Sequence, residues 1–157
     1  MKLIPYEHFS LSSSKSIKDL VTILSKNVAQ TPSFSVFRKA HDRPFEGKLF
    51  ANGFKVKRVV HYYNSFVPIV KGHFNQSSEG TNITVQMFPH PVSYFFILVA
   101  IIFGVIFGNA VSPISSKQIP LVLILPAVLG MLSYIVVSLA FWLEAKRARK
   151  ELTKLFT

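Results

Sequence analysis

The chain has 157 residues, enough for one ordinary domain or for a small domain joined to a membrane anchor. Half of the residues are hydrophobic and only 16% are charged, well below the roughly one-quarter found in soluble domains. Mean hydropathy is +0.38. Together these values exclude intrinsic disorder and a wholly soluble globular protein. Eighteen bases against seven acids give a net charge of +11, which calls for an anionic neighbour. In a chain with a membrane segment, lipid headgroups explain that excess more simply than nucleic acid, for which no recognition module is present. The absence of cysteine removes disulfides, thiolate metal sites and cysteine nucleophiles together. The first residues contain no apolar run of signal-peptide length, and Glu7 and Asp19 interrupt the Ser-rich stretch. No secretory or mitochondrial targeting segment is therefore expected.

In chain order, Ser16-Ile17-Lys18-Asp19 has the pattern of a helix N-cap with an acid three residues on. Ile17, Leu20, Val21, Leu24 and Val28 then recur at helical spacing, which predicts an amphipathic helix over 16–29. Its stripe is read as covering a sheet, with a membrane-surface helix as the alternative. Residues 3–9 and 34–39 are weaker strand candidates. Asn52-Gly53 between 45–51 and 54–63 is a strong hairpin signal. A two-residue turn there sets Phe45 opposite Val60, Leu49 opposite Val56 and Ala51 opposite Phe54, with positive φ at Gly53. Glu46, Lys48, Lys55 and Lys57 fall on the other face. A second hairpin joins 67–76 to 81–88 through Ser77-Ser78-Glu79-Gly80. It sets Phe74 opposite Ile83, Gly72 opposite Val85 and Val70 opposite Met87. The expected fold class is α+β: a small antiparallel β-meander packed by one amphipathic helix, followed by a two-helix transmembrane hairpin.

Pro89-His90-Pro91 marks the end of a basic domain over 1–91. The 52 residues from Val92 to Leu143 carry a single charge, Lys117. Ser112-Pro113 divides them into spans over 92–111 and 119–143, each at least about 30 Å long as a helix. Gly104 and Gly108 lie one turn apart on one face, a spacing that permits close helix approach. They are read as packing one span on the other, with self-association as the alternative. Pro126 and Gly130 are expected to kink the second span. No acid, base or histidine falls within either span, which argues against a proton path.

Residues 144–157 form a basic juxtamembrane tail in which Lys146, Arg147, Arg149 and Lys150 follow directly on the second span. Flanking bases place this end in the cytoplasm, and a two-span hairpin brings residues 1–90 to the same side. The tail is expected to continue as an amphipathic helix, its Leu152, Leu155 and Phe156 touching lipid and its bases reaching headgroups.

Chemistry-bearing patterns are scarce. There is no phosphate-binding glycine loop, nucleophile elbow or H-E-x-x-H. His8, His41, His61, His73 and His90 are scattered, and the acids Glu7, Asp19, Asp42, Glu46 and Glu79 are isolated. No catalytic, metal or cofactor site is expected. Asn75-Gln76-Ser77 and Asn82-Ile83-Thr84 fit the glycosylation pattern, which a cytoplasmic placement leaves idle. The lysines Lys48, Lys55 and Lys57, with Lys71, are either a solvated face or a contact for anionic headgroups or an acidic partner.

Phe45-Glu46-Gly47, Phe54-Lys55-Val56, the run from Tyr63 through Asn64, Ser65 and Phe66 to Val67-Pro68, then Gly72, Gly80-Thr81 and Met87 to Pro91 form a further pattern. Over about residues 45–95 it resembles a widespread group of uncharacterised bacterial two-helix membrane proteins. The resemblance implies bacterial origin and brings no activity, cofactor or ligand set.

The expected protein is thus an inner-membrane, multi-pass protein with both termini cytoplasmic. Its role is non-catalytic: binding a partner or ligand at the membrane surface through Lys48, Lys55, Lys57, Lys146, Arg147, Arg149 and Lys150. Its partners are membrane lipids with anionic headgroups, and a protein partner or a second copy. The alternatives are a membrane effector that oligomerises through Gly104 and Gly108 and permeabilises the bilayer, and an accessory subunit of a larger membrane enzyme or transporter.

Overall fold

The structure, a computed structural model, describes residues 4–30, 43–60, 66–78, 80–111 and 121–156. The elements are β1 (Glu7–Ser13), α1 (Ile17–Asn27), β2 (Val28–Gln30), β3 (Phe45–Phe50), β4 (Gly53–Arg58), β5 (Ile69–Ser77), β6 (Gly80–Phe88), α2 (Pro91–Val111) and α3 (Leu121–Phe156). The strands form one sheet in the order β1-β6-β5-β4-β3-β2. All pairs are antiparallel except β2 with β3, so the sheet is mixed. The class is α+β, as the sequence predicts; the purely antiparallel meander is not what forms. The strand candidate 34–39 lies outside the described residues.

Local chemistry accounts for several element ends. Ser16 Oγ accepts from the Asp19 N–H at 3.2 Å, the N-cap expected of this pattern, and donates to the Asp19 carboxylate at 2.7 Å. The helix stops at Asn27, two residues before the expected end, because Val28–Gln30 turns extended and pairs with Phe45–Gly47. The first strand runs over Glu7–Ser13 rather than 3–9, where alternation puts Glu7, Phe9 and Ser13 inward. At α2, Pro91 takes the first helical position, and His90 Nδ1 accepts from the Val92 N–H at 3.3 Å.

The second hairpin has the expected register, with Phe74, Gly72 and Val70 opposite Ile83, Val85 and Met87. The first hairpin is slipped by two residues from the expected one. Phe45 pairs with Arg58, Gly47 with Val56 and Leu49 with Phe54, and the turn is Ala51-Asn52. A slip of two conserves which face each residue occupies, so the apolar set stays inward. Gly53 is the first residue of β4 and has no positive φ; the positive values belong to Gly47 and Gly80. Gly53 is instead a place of close approach, where a Cβ would overlap the Gly72 carbonyl oxygen of β5. The Asn52 carbonyl accepts from the Phe74 N–H at 2.9 Å, continuing the β4–β5 pairing into the turn.

The core lies on one sheet face. Phe9, Phe45, Phe54, Val56, Val70, Phe74, Ile83, Val85 and Met87 meet Leu20 and Leu24 of α1 there. They also meet Phe141, Ala145, Ala148, Leu152 and Phe156, a stripe at helical spacing on α3. This corrects the reading of the tail as lipid-contacting. Leu152 and Phe156 are fully buried against the sheet, and the Phe156 ring lies 5.9 Å from that of Phe54. The physical reason is area: α1 alone cannot cover six strands, and a second apolar stripe completes the cover.

α2 and α3 are both long and apolar enough to cross a membrane, yet only 17% and 11% of their most apolar stretches is buried within the chain. The two helices touch. Gly104 faces Pro126, where an added Cβ would come within 2.6 Å of the proline Cα, and Gly130 faces Ile101. Polar side chains on these helices bond back to their own turns: Asn109 Nδ2 donates to the Val105 carbonyl and Ser133 Oγ to that of Leu129.

Candidate functional site: the open sheet face and the base of α3

Because α1 and the end of α3 cover one face, alternate residues on the other face remain exposed. Strand pairing orders them into rows. Lys48 lies opposite Lys55, Lys55 opposite Lys71, Lys71 opposite Gln86 and Gln86 opposite His8. All five are exposed. Like charges directly opposite one another on a sheet oppose its formation by a few tenths of a kcal/mol or more. The row is thus a local cost that the core carries. Lys71 Nζ also lies 5.0 Å from the centre of the Phe88 ring. The next row holds Lys57, paired with Glu46 at 2.9 Å. Of the predicted contact lysines, Lys48 and Lys55 therefore share a row with Lys71, while Lys57 is partly neutralised.

The tail bases separate in the same way. Arg147 pairs with Glu144 at 3.1 Å. Arg149 pairs with Glu7 at 2.8 Å, and its guanidinium lies 4.6 Å over the Phe9 ring. Lys146 and Lys150 are exposed on the same side of α3 as Arg149. They face away from the core stripe that holds Ala145, Ala148 and Leu152.

The sequence reading missed one cluster. Arg58 at the end of β4 bonds Glu144 at 2.7 Å and Glu151 at 3.5 Å, and its side chain is 13% exposed. Glu144 and Glu151 are seven residues apart, so they lie on one face of α3; that spacing is the signal that would have found them. Burial raises the Glu151 carboxyl above its ordinary value of 4.5, with Glu144 adding to the rise and Arg58 opposing it. Across the sheet end, burial and the Lys57 charge lower His90 below 6.5. One buried and one half-buried carboxylate held by a single arginine make a structural tie between β4 and α3.

His8 and His73 are exposed on the open face and His90 caps α2, while His41 and His61 lie outside the described residues. Among the described residues no group of histidines and acids converges on a metal position. Comparison of the chain with protein-family models, curated proteins and solved structures gives no match.

Proposed function

We propose an integral membrane protein, anchored by α2 and α3 in a bacterial inner membrane, whose basic domain binds an acidic protein partner at the cytoplasmic surface without catalysing a reaction. The observation that carries this reading is the continuity of α3. One 36-residue helix passes from an exposed apolar stretch directly into the core of the sheet. The apolar surface of Leu123, Ile124, Val128, Met131, Leu132, Ile135, Val136 and Leu139 needs a cover, and a bilayer supplies it. Because residues 144–156 complete the core built by residues 4–88, the two ends of the chain belong on one side, which requires an even number of crossings. The bases after Leu143 favour the cytoplasm for that side. The contact of Gly104 with Pro126 uses the small-residue face within one chain, which speaks for an anchor over an oligomerising effector.

The partner is assigned to the row Lys48, Lys55 and Lys71 by charge complementarity. Photo-crosslinking in cells from a reactive residue at Gln86, followed by mass spectrometry, tests it. The expected result is an acidic protein adduct that disappears when Lys48, Lys55 and Lys71 are all changed to Glu. An adduct that survives the triple substitution overturns the assignment. Reporter fusions at Ser115 and Thr157 should disagree in side; agreement overturns the two-span anchor.

A further inference from the structure

Glu7 of the edge strand β1 and the basic side of α3 line an open cleft of about 600 Å³. Its walls are Trp142, Lys146, Lys150 and Lys154 from α3, with Arg149 and its partner Glu7 between helix and strand. We propose that this cleft holds the headgroup of one anionic phospholipid, its phosphate on Lys146 and Lys150. The proposal rests on α2 and α3 being membrane spans.

Three observations carry it. First, the α3 residues stand at i, i+4, i+8 and i+12, a single stripe. At about 1.5 Å per residue, Lys146, Lys150 and Lys154 lie roughly 6, 12 and 18 Å beyond Trp142. Leu139 and Leu143, beside the tryptophan, are 45% and 61% exposed. Apolar surface thus gives way to bases within one turn, at the depth where an acyl chain gives way to a phosphate. A soluble phosphate would leave that apolar half of the surface unused, whereas a lipid covers both halves.

Second, the charge is lopsided. Four cations line the cleft against one carboxylate, and Glu7 is already tied to Arg149 at 2.8 Å. The stacking of Arg149 over Phe9 fixes it as a wall. Lys146 and Lys150 remain as exposed, mobile point charges that suit a phosphate. Third, the second oxygen of Glu7 is buried and has no hydrogen-bond partner among the described residues. A buried acceptor of this kind is costly unless a donor reaches it. A headgroup hydroxyl, as on glycerol, supplies that donor beside the phosphate.

Trp142 is the sole tryptophan of the chain, so its fluorescence reports on this cleft alone. The full-length protein is reconstituted in phosphatidylcholine vesicles containing a small fraction of bromine-labelled phosphatidylglycerol, or the same fraction of bromine-labelled phosphatidylcholine. The expected result is stronger quenching by the anionic lipid. Lys146→Gln with Lys150→Gln should weaken that preference about thirtyfold, while Lys48→Gln with Lys55→Gln and Lys71→Gln should leave it unchanged. Equal quenching by both labelled lipids, or an equal loss from the sheet-face substitutions, overturns the cleft assignment while leaving the anchor intact. Displacement of the labelled lipid by millimolar inorganic phosphate would identify a soluble anion as the occupant and overturn the lipid. Protein that fails to float with the vesicles overturns the spans themselves, a result distinct from the others.

Discussion

Arg58 Nη2 donates to Glu144 Oε2 at 2.7 Å, joining the end of a sheet strand to the helix just past its apolar stretch. The two residues are 86 positions apart in the chain, and their side chains are 13% and 4% exposed. Removing one partner of so buried a pair leaves the other charge with only its longer tie, Glu144 with Arg147 or Arg58 with Glu151, at a cost on the order of 1–3 kcal/mol. Arg58→Gln and Glu144→Gln should each lower the denaturant midpoint of the detergent-solubilised protein steeply. Arg58→Met combined with Glu144→Leu should recover most of the loss. A double variant as unstable as either single one would show that the pair itself, rather than the stranded charge, is what matters.

The burial of Ala145, Ala148, Leu152 and Phe156 in the sheet core makes the two ends of the chain one folding unit. A fragment of residues 1–90 should therefore fail to give a cooperative melt. Fusing residues 141–157 behind it through a flexible linker should restore one. Phe156→Ala in the full chain should cost about 3–5 kcal/mol, the usual range for emptying a buried aromatic position. A sharp melt from the 1–90 fragment alone would refute the core assignment.

How far the fold could be read from the sequence depends on whether local signals sufficed. The β5–β6 register was legible, because Phe74, Gly72 and Val70 match Ile83, Val85 and Met87 across a short turn. The β3–β4 register was not, because alternation determines faces and a two-residue slip leaves every face unchanged. The deciding contact, Gly53 against Gly72, comes from another hairpin. The three-residue β2 pairs in parallel with β3 across residues 31–42, beyond the reach of any periodicity argument. The stripe of Leu152 and Phe156 was visible, but periodicity does not say whether lipid or a sheet covers it. Of the candidate site, the bases themselves were legible; their rows and their partners Glu7, Glu46 and Glu144 required the fold.

Gly53 should prove intolerant of a side chain for a reason other than turn geometry. Its neighbour is the Gly72 carbonyl, main chain that cannot swing aside. Gly53→Val should cost about 1–3 kcal/mol, the range for forcing atoms into filled space. Asn52→Ala, which leaves the Asn52 carbonyl and its bond from Phe74 in place, should cost much less. Equal losses in thermal melts of the two variants would refute the close-approach account.

Two groups give stability opposite dependences on pH. His90 is lowered in the folded protein, so its contribution is full above 6.5 and is lost as pH falls through the folded value. Glu151 is raised, so its contribution is full below 4.5 and is lost as pH rises through the folded value. Melting temperatures followed from pH 4 to 7.5 should therefore show His90→Asn losing less than the parent on acidification. Glu151→Gln should gain on the parent as pH rises. Curves parallel to the parent in both variants would contradict these assignments.

Gly104 decides between a helix pair that serves one chain and one that builds an assembly. An added Cβ at this position would come within 2.6 Å of the Pro126 Cα and 2.9 Å of its nitrogen, both main-chain atoms of α3. Nothing in that contact can rotate away, so Gly104→Ile must push α2 and α3 apart along their whole shared face. Gly108, one turn on the same face, is also buried. The cost should appear in the single chain: less protein accumulating in the membrane, and faster cleavage of what remains by an added protease. The connection between the helices is short, so the contact within the chain forms ahead of any contact between chains. Gly130→Leu, set against the end of the flexible Ile101 side chain, should be milder than Gly104→Ile. If Gly104→Ile instead left normal amounts of a protease-resistant monomer and removed only higher assemblies, the glycine face would belong to a contact between chains.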